Sequence, residues 1–153
     1  MPHQVLLLRH AQALQAQSGQ PDLERGLSPS GLTQCQRLQQ HFLQHAELDP
    51  QVVLCSPARR ARETLLYALP QWRSCCKFEA SIYAATAATL LQWLLEYPGQ
   101  RLLLVGHNPG LEQLLTLLVG HPSVTSMNPA SLCHLYLQRA EPGGAVHVSS
   151  WTF

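Results

Sequence analysis

The sequence predicts an α/β fold: a three-layer α/β/α sandwich around a mostly parallel, mixed sheet that a C-terminal hairpin completes. Two observations carry that expectation. From residue 4 to residue 119, short apolar runs of strand length alternate with segments of helical period, the pattern of βα units whose crossovers cover both faces of a parallel sheet. Two further strand-like runs then face each other across the turn-forming stretch Glu141-Pro142-Gly143-Gly144. At 153 residues the chain has the size of one domain, so 1–153 is read as a single unit.

In chain order, Gln4 to Leu8 is the first buried strand, and the first long helix runs from Pro29 to His45 behind Ser28. Ser28-Pro29 is a helix start: a side-chain oxygen that can cap the first amides, then a proline whose fixed φ suits the first helical position. Val52 to Cys55 is the second strand, and Ser56-Pro57 repeats the device for a helix from Pro57 to Leu69. A weak strand, Lys77 to Glu79, and a helix, Ala87 to Glu96, come next. Leu102 to Val105 is a strand followed by Asn108-Pro109, the third such start, for a helix from Pro109 to Val119. The hairpin strands are Ser131 to Leu137 and Ala145 to Trp151.

Composition narrows the function classes. Hydrophobic residues make up 46% and charged residues 12%, with a net charge of +1, too apolar for disorder and too balanced for an electrostatic nucleic-acid footprint. No basic stretch leads into a long apolar run at the amino terminus, and no segment reaches the ~18 apolar residues of a membrane span, so a cytoplasmic location without membrane contact is expected. The five cysteines are an odd set without metal-ligand spacing, which suits reduced thiols, the adjacent Cys75-Cys76 included.

Chemistry concentrates where strands end. Arg9 and His10 follow the first strand, and Gly106, His107 and Asn108 follow Leu102 to Val105; open α/β sheets bind ligands at these carboxyl ends. Two histidines and an arginine there can converge on one anion, and a neutral imidazole can attack phosphorus. Arg59, Arg60 and Arg62 crowd the first turns of the second helix, where cations oppose the helix dipole by ~0.3–1 kcal/mol each. An anionic ligand would explain Arg60, which shares a helical face with Ser56 and Thr64. Arg59 and Arg62 read as a solvated basic face.

Leu8-Arg9-His10, Ser56…Arg60-Ala61…Thr64 and Val105-Gly106-His107-Asn108-Pro109-Gly110, in that order, resemble the motifs of the histidine phosphatase superfamily, which includes phosphoglycerate mutases and acid phosphatases. The short length and Arg25-Gly26-Leu27-Ser28…Gly31 are most similar to the compact branch typified by the SixA phosphohistidine phosphatases. The resemblance implies a phosphoglycerate-mutase-like sandwich without a cap domain. It implies His10 as a nucleophile that is transiently phosphorylated, with Arg9, Arg60 and His107 holding the phosphoryl oxygens and no metal or cofactor needed. Arg25, Ser56 and Asn108 become candidate substrate-binding residues, with helix capping the plainer role for Ser56 and pairing with Asp22 or Glu24 the plainer role for Arg25. One position departs from the pattern: the glycine after the first histidine is Ala11 here.

Relatives that cleave alkyl phosphates carry a glutamate after the third strand as general acid. Here that stretch reads Phe78-Glu79-Ala80-Ser81-Ile82-Tyr83-Ala84-Ala85-Thr86, with Glu79 inside the predicted strand and before the loop. A phosphohistidine, whose imidazole leaves easily, lessens the need for an acid. No connection is long enough for a folded cap, so an open pocket admitting a phosphorylated side chain of another protein is expected. The substrate is therefore read as a phosphorylated protein, with a small phosphorylated molecule as the alternative and a catalytically inactive phosphate-binding module as a third reading. The oligomeric state is left open. His41 and His45 share a helix face but lack a third metal ligand, His3, His121, His134 and His147 have no constellation, and Tyr83, Trp72, Trp93 and Trp151 read as packing.

Overall fold

A computed structural model describes residues 3–121, 126–139 and 141–153. Its strands are β1 (His3–Arg9), β2 (Val52–Cys55), β3 (Cys76–Phe78), β4 (Leu102–Gly106), β5 (Ser131–Leu137) and β6 (Ala145–Thr152), and its helices are α1 (Pro29–Gln44), α2 (Arg59–Ala68), α3 (Ala87–Leu95) and α4 (Gly110–Val119). They form one mixed sheet in the order β3-β2-β4-β1-β5-β6. β3, β2, β4 and β1 are mutually parallel, and β5 and β6 add the antiparallel hairpin beside β1. The predicted α/β/α sandwich is what folds.

Strand alternation divides the core in two. Leu6 and Leu8 of β1 point with Val53, Cys55, Leu103 and Val105 toward α1 and α2, whereas Val5 and Leu7 point with Leu54, Leu102 and Leu104 toward α3 and α4. α1 answers with Cys35, Leu38 and Phe42 on one stripe and α4 with Leu111, Leu114, Leu115 and Leu118, the spacing of amphipathic helices. Each fully buried leucine of this kind is worth about 1.5–3 kcal/mol over an exposed one. The layers therefore hold the sheet, and with it the strand ends, in place.

The helix starts divide. Ser28 caps α1 as expected, accepting from the Gly31 amide at 3.0 Å. α2 begins two residues later than predicted, at Arg59, without a side-chain cap, because Ser56 and Pro57 are spent on a turn out of β2. α4 begins at Gly110 behind Pro109 and Asn108 does not cap it: its Nδ2 donates to Glu112 and to the Met127 carbonyl, and its Oδ1 has no hydrogen-bond partner among the described residues. Thr86 caps α3 by accepting from the Thr89 amide at 3.2 Å, a start the sequence reading did not single out. β3 lies one residue earlier than expected, which leaves Glu79 just outside it.

Candidate active site

Three parallel strands deliver their last residues to one edge. The His10 amide donates to the Gly106 carbonyl at 3.2 Å and the Ser56 amide to the Val105 carbonyl at 3.0 Å, tying the ends of β1, β2 and β4 together. The His10 and His107 rings meet there with centroids 5.1 Å apart. Arg60, from the first turn of α2, is buried behind them and its Nε donates toward His10 Nε2 at 3.3 Å. Arg59 instead points outward and pairs with Glu63 at 2.6 Å, the solvated-face reading, and Arg62 is exposed.

The chemistry of His10 follows from its two neighbours. Nδ1 lies 2.7 Å from the Ala11 carbonyl, which accepts only if Nδ1 carries the proton, and this leaves the lone pair on Nε2 beside Arg60. Burial lowers the pKa of His10 to about 4, with Arg60, Arg9 and Arg25 adding to the effect against the Ala11 hydrogen bond, so the ring is neutral at pH 7. Ala11 fits without backbone strain: among the described residues the non-glycine left-handed conformations belong to Ala84 and Ala130. Its amide donates to Thr64 Oγ1 at 2.9 Å, so Thr64 of α2 helps to hold the segment of His10.

His107 is fixed through Ser56. The Ser56 hydroxyl oxygen accepts from the Ala58 amide at 3.2 Å and lies 2.7 Å from His107 Nε2; when the hydroxyl donates to that nitrogen, Nδ1 carries the ring proton. Burial first, then His10 and Arg60, lower the His107 pKa to about 3, so this ring too is neutral at pH 7. Arg9 reaches the Met127 carbonyl through Nη1 at 2.9 Å. Glu112 accepts from the Asn108 side chain and from the Met127 amide, both at 2.8 Å, so Asn108 and Glu112 set the carbonyl on which Arg9 rests. Arg9 Nε and His107 Nδ1 are buried without a hydrogen-bond partner among the described residues.

Two residues that sequence reasoning passed over complete the cleft. Asp22 accepts from Arg60 Nη2 at 3.0 Å and from the Tyr83 hydroxyl at 2.6 Å through Oδ2, and from Arg25 Nε at 2.9 Å through Oδ1. Its main-chain carbonyl takes Arg60 Nη1 at 2.9 Å. The Tyr83 hydroxyl above all, then Arg25 and Arg60, hold the Asp22 carboxyl well below the usual carboxylate range against the cost of burial. Tyr83 is not packing: its ring stands edge-on to His107 at 5.5 Å. The loop that carries it turns through Ala84, at φ 52°, and settles where a Cβ on Gly110 would strike the Ala85 carbonyl. Arg25 pairs with Asp22, its plainer expected role, yet its charge reaches His10. The cleft between these walls measures about 360 Å³ and takes in Asp22, Arg60, Tyr83, His107 and Asn108. A larger groove of about 740 Å³ along α2, lined by Arg59, Arg62, Arg73 and Phe78, contains neither histidine. Among the described residues no group of three or more His, Cys, Asp or Glu side chains is placed to hold a metal, and no helix is long and apolar enough to cross a membrane.

Fold and site together define the class: an α/β/α sandwich that brings two histidines and the buried Arg60 together at the carboxyl edge of its sheet, with Arg60 and His107 lining the cleft. The family model of the histidine phosphatase superfamily (branch 1) matches residues 5–82, just over half of the chain, and the chain belongs to that superfamily. Among solved structures, one assigned as the phosphohistidine phosphatase SixA of Agrobacterium tumefaciens superposes with a TM-score of 0.87 at 23% identity, covering 100% of this chain and 99% of that one. The protein histidine phosphatase SixA complexed with tungstate gives 0.83 at 19% identity over 97% and 96% of the two chains. A His-to-Ala mutant of phosphoserine phosphatase from Entamoeba histolytica, in complex with phosphoserine, gives 0.71 at 11% identity over 97% and 96%. At these identities the likeness is one of fold. No curated protein matches the sequence significantly.

Proposed function

We propose that this phosphatase works through a phosphohistidine formed at His10 and that its substrate is phosphohistidine on another protein. One observation carries the reading: Arg9 Nε and His107 Nδ1, two buried nitrogens without a hydrogen-bond partner among the described residues, belong to residues at the ends of two neighbouring strands, and the His107 ring stands 5.1 Å from that of His10. Buried donors without partners cost about 1–3 kcal/mol each, and phosphoryl oxygens would satisfy both. Arg60 supplies a second cationic wall beside Arg9.

In the first step the Nε2 lone pair of His10 attacks phosphorus in line, while Arg9, Arg60 and the His107 N–H neutralise charge on the equatorial oxygens. The Ala11 carbonyl stabilises the N-phosphorylated ring, which now carries positive charge, through its Nδ1–H. Water then attacks phosphorus in a second step, the P–N bond breaks, and the electron pair returns to Nε2. The lack of a cap over the cleft favours a substrate presented on a protein surface. Asn108 acts through Met127 on Arg9, and Ser56 through the tautomer of His107, so both are positioning residues.

Purified protein offered a phosphohistidine peptide, an aryl phosphate and a panel of sugar phosphates, with EDTA present, tests the proposal. Preferred turnover of the peptide and an acid-labile phosphoryl label on His10 are expected. Faster turnover of sugar phosphates would replace the substrate with a small phosphomonoester, and binding of phosphate without turnover would leave an inactive module.

A further inference from the structure

The reaction as proposed leaves one charged group of the cleft unused. Asp22 lies beside Arg60 with its side chain 47% exposed, an ionised carboxylate in a pocket meant for a phosphoryl group. Like charges a few ångströms apart repel by about 1–4 kcal/mol at a protein surface, so for phosphate binding alone this carboxylate is a cost. Nor is it a proton donor. Arg60 from α2, Tyr83 from the loop after β3 and Arg25 from its own loop all bond the anion, and its charge extends to His107 behind β4.

The hydrogen-bond capacity is informative. A carboxylate accepts about four hydrogen bonds; Oδ2 takes two, from Arg60 and Tyr83, and Oδ1 takes one, from Arg25. Among the described residues one acceptor site on Oδ1 is left over, and only a donor can use it without adding to the repulsion. A phosphohistidine brings such a donor. When its ring is protonated, the nitrogen not bonded to phosphorus is an N–H with positive charge, held a few ångströms from the phosphoryl oxygens by the geometry of the ring.

We infer that Asp22 is a specificity-determining residue that selects the imidazolium form of a phosphohistidine by accepting a hydrogen bond from its free ring N–H. The inference rests on the phosphohistidine reading above. In the transfer step a bond forms between His10 Nε2 and phosphorus while the substrate P–N bond breaks, and the electron pair of that bond goes to the substrate ring nitrogen. Because the other nitrogen already carries its proton, the departing ring is neutral imidazole and no proton moves. Cleavage of an alkyl ester instead leaves an alkoxide that must be protonated, and Asp22, already ionised, has no proton to give. The same carboxylate thus favours N–P substrates and opposes alkyl esters.

The test compares wild-type protein with Asp22→Asn on two substrates, a phosphohistidine peptide and p-nitrophenyl phosphate, whose leaving group needs no proton. Asp22→Asn is expected to lower the ratio of kcat/KM values, peptide over aryl ester, by about 10- to 100-fold, the scale of one charge-assisted hydrogen bond. It should also move the alkaline limb of kcat for the peptide to lower pH, because the bound imidazolium loses the anion that raises its pKa. Tyr83→Phe, which removes a hydroxyl but keeps the carboxylate, should preserve most of the ratio. Equal losses on both substrates with Asp22→Asn would make Asp22 only a support for Arg60, and an unchanged ratio would remove it from recognition; either overturns the inference. A wild-type protein that turns over the aryl ester but not the peptide would instead sink the phosphohistidine reading itself, before any variant is compared.

Discussion

Two pairs of neighbouring histidines contrast in this molecule, and only one of them stands beside buried arginine and strand-end hydrogen bonds. His10 and His107 stand 5.1 Å apart at the carboxyl edge of the sheet, while His41 of α1 and His45 just past its end lie 4.4 Å apart, with Trp151 and Phe153 at 4.5 and 5.0 Å from His41. His41 and His107 are equally buried, both have a ring nitrogen without a partner among the described residues, and burial lowers the pKa of both. What differs is the surroundings. Arg60, Ser56 and the Ala11 carbonyl bond the rings of one pair, whereas aromatic rings pack on His41 and the exposed Glu47 carboxylate, 3.0 Å from His45 Nδ1, bonds the other ring. Proximity and burial make histidines part of a core; directed hydrogen bonds and converging cations make them a site.

The contrast can be broken most severely at His10. His10→Ala should reduce turnover of any phosphate substrate by about four orders of magnitude or more, the scale of removing a covalent nucleophile, while thermal unfolding shows the fold intact. A residual rate within tenfold of wild type would assign the nucleophile elsewhere. Next in size, Arg60→Ala and His107→Ala should each cost about 10²–10³ in kcat, the loss seen when one preorganised donor to developing charge is removed. Measured together, the double variant should lose less than the product of the two, since both hold one phosphoryl group.

A smaller effect belongs to pH. His10 and His107 titrate at about 4 and about 3 in the folded protein against 6.5 for an unperturbed ring, so between pH 6.5 and 4 the unfolded chain binds more protons. Stability is therefore full above pH 6.5 and falls as the pH drops through that window, which denaturant midpoints at successive pH values would show. His10→Ala should flatten the slope. The smallest effect is expected at the other pair: His41→Leu should leave kcat/KM unchanged and shift Tm by only a few degrees, upward if the unpaired Nε2 is a net cost. A large loss of activity in His41→Leu would erase the distinction between the two regions.

Much of this site was legible because its signals are local. A run of apolar residues ending in Arg9-His10, another ending in Gly106-His107, and an arginine one turn into the helix after Ser56 are each readable within a few residues. The parts that escaped are contacts between distant segments. Tyr83 meets Asp22 across 61 positions, Ser56 meets His107 across 51, and Asp22 meets Arg60 across 38. Nothing near Tyr83 marks it as other than a half-buried aromatic. Local reading also misassigned caps: Ser56 and Asn108 have the right chemistry for a helix start, yet Ser56 sits in the turn before α2 and bonds His107, and the Asn108 amide turns its Nδ2 to Glu112 and Met127.

From its residues alone this chain determined the order of strands and helices, their core-facing positions and the edge at which His10, Arg60 and His107 would gather, because hydrophobic periodicity and strand-end placement are short-range properties. Tertiary structure alone decided which ring nitrogen is free, which arginine is buried and which paired outward, and that a carboxylate from residue 22 shares the cleft. Tautomer, charge and hydrogen-bond direction depend on atoms within about 3 Å, and those atoms are brought together only when the sheet and its four helices close.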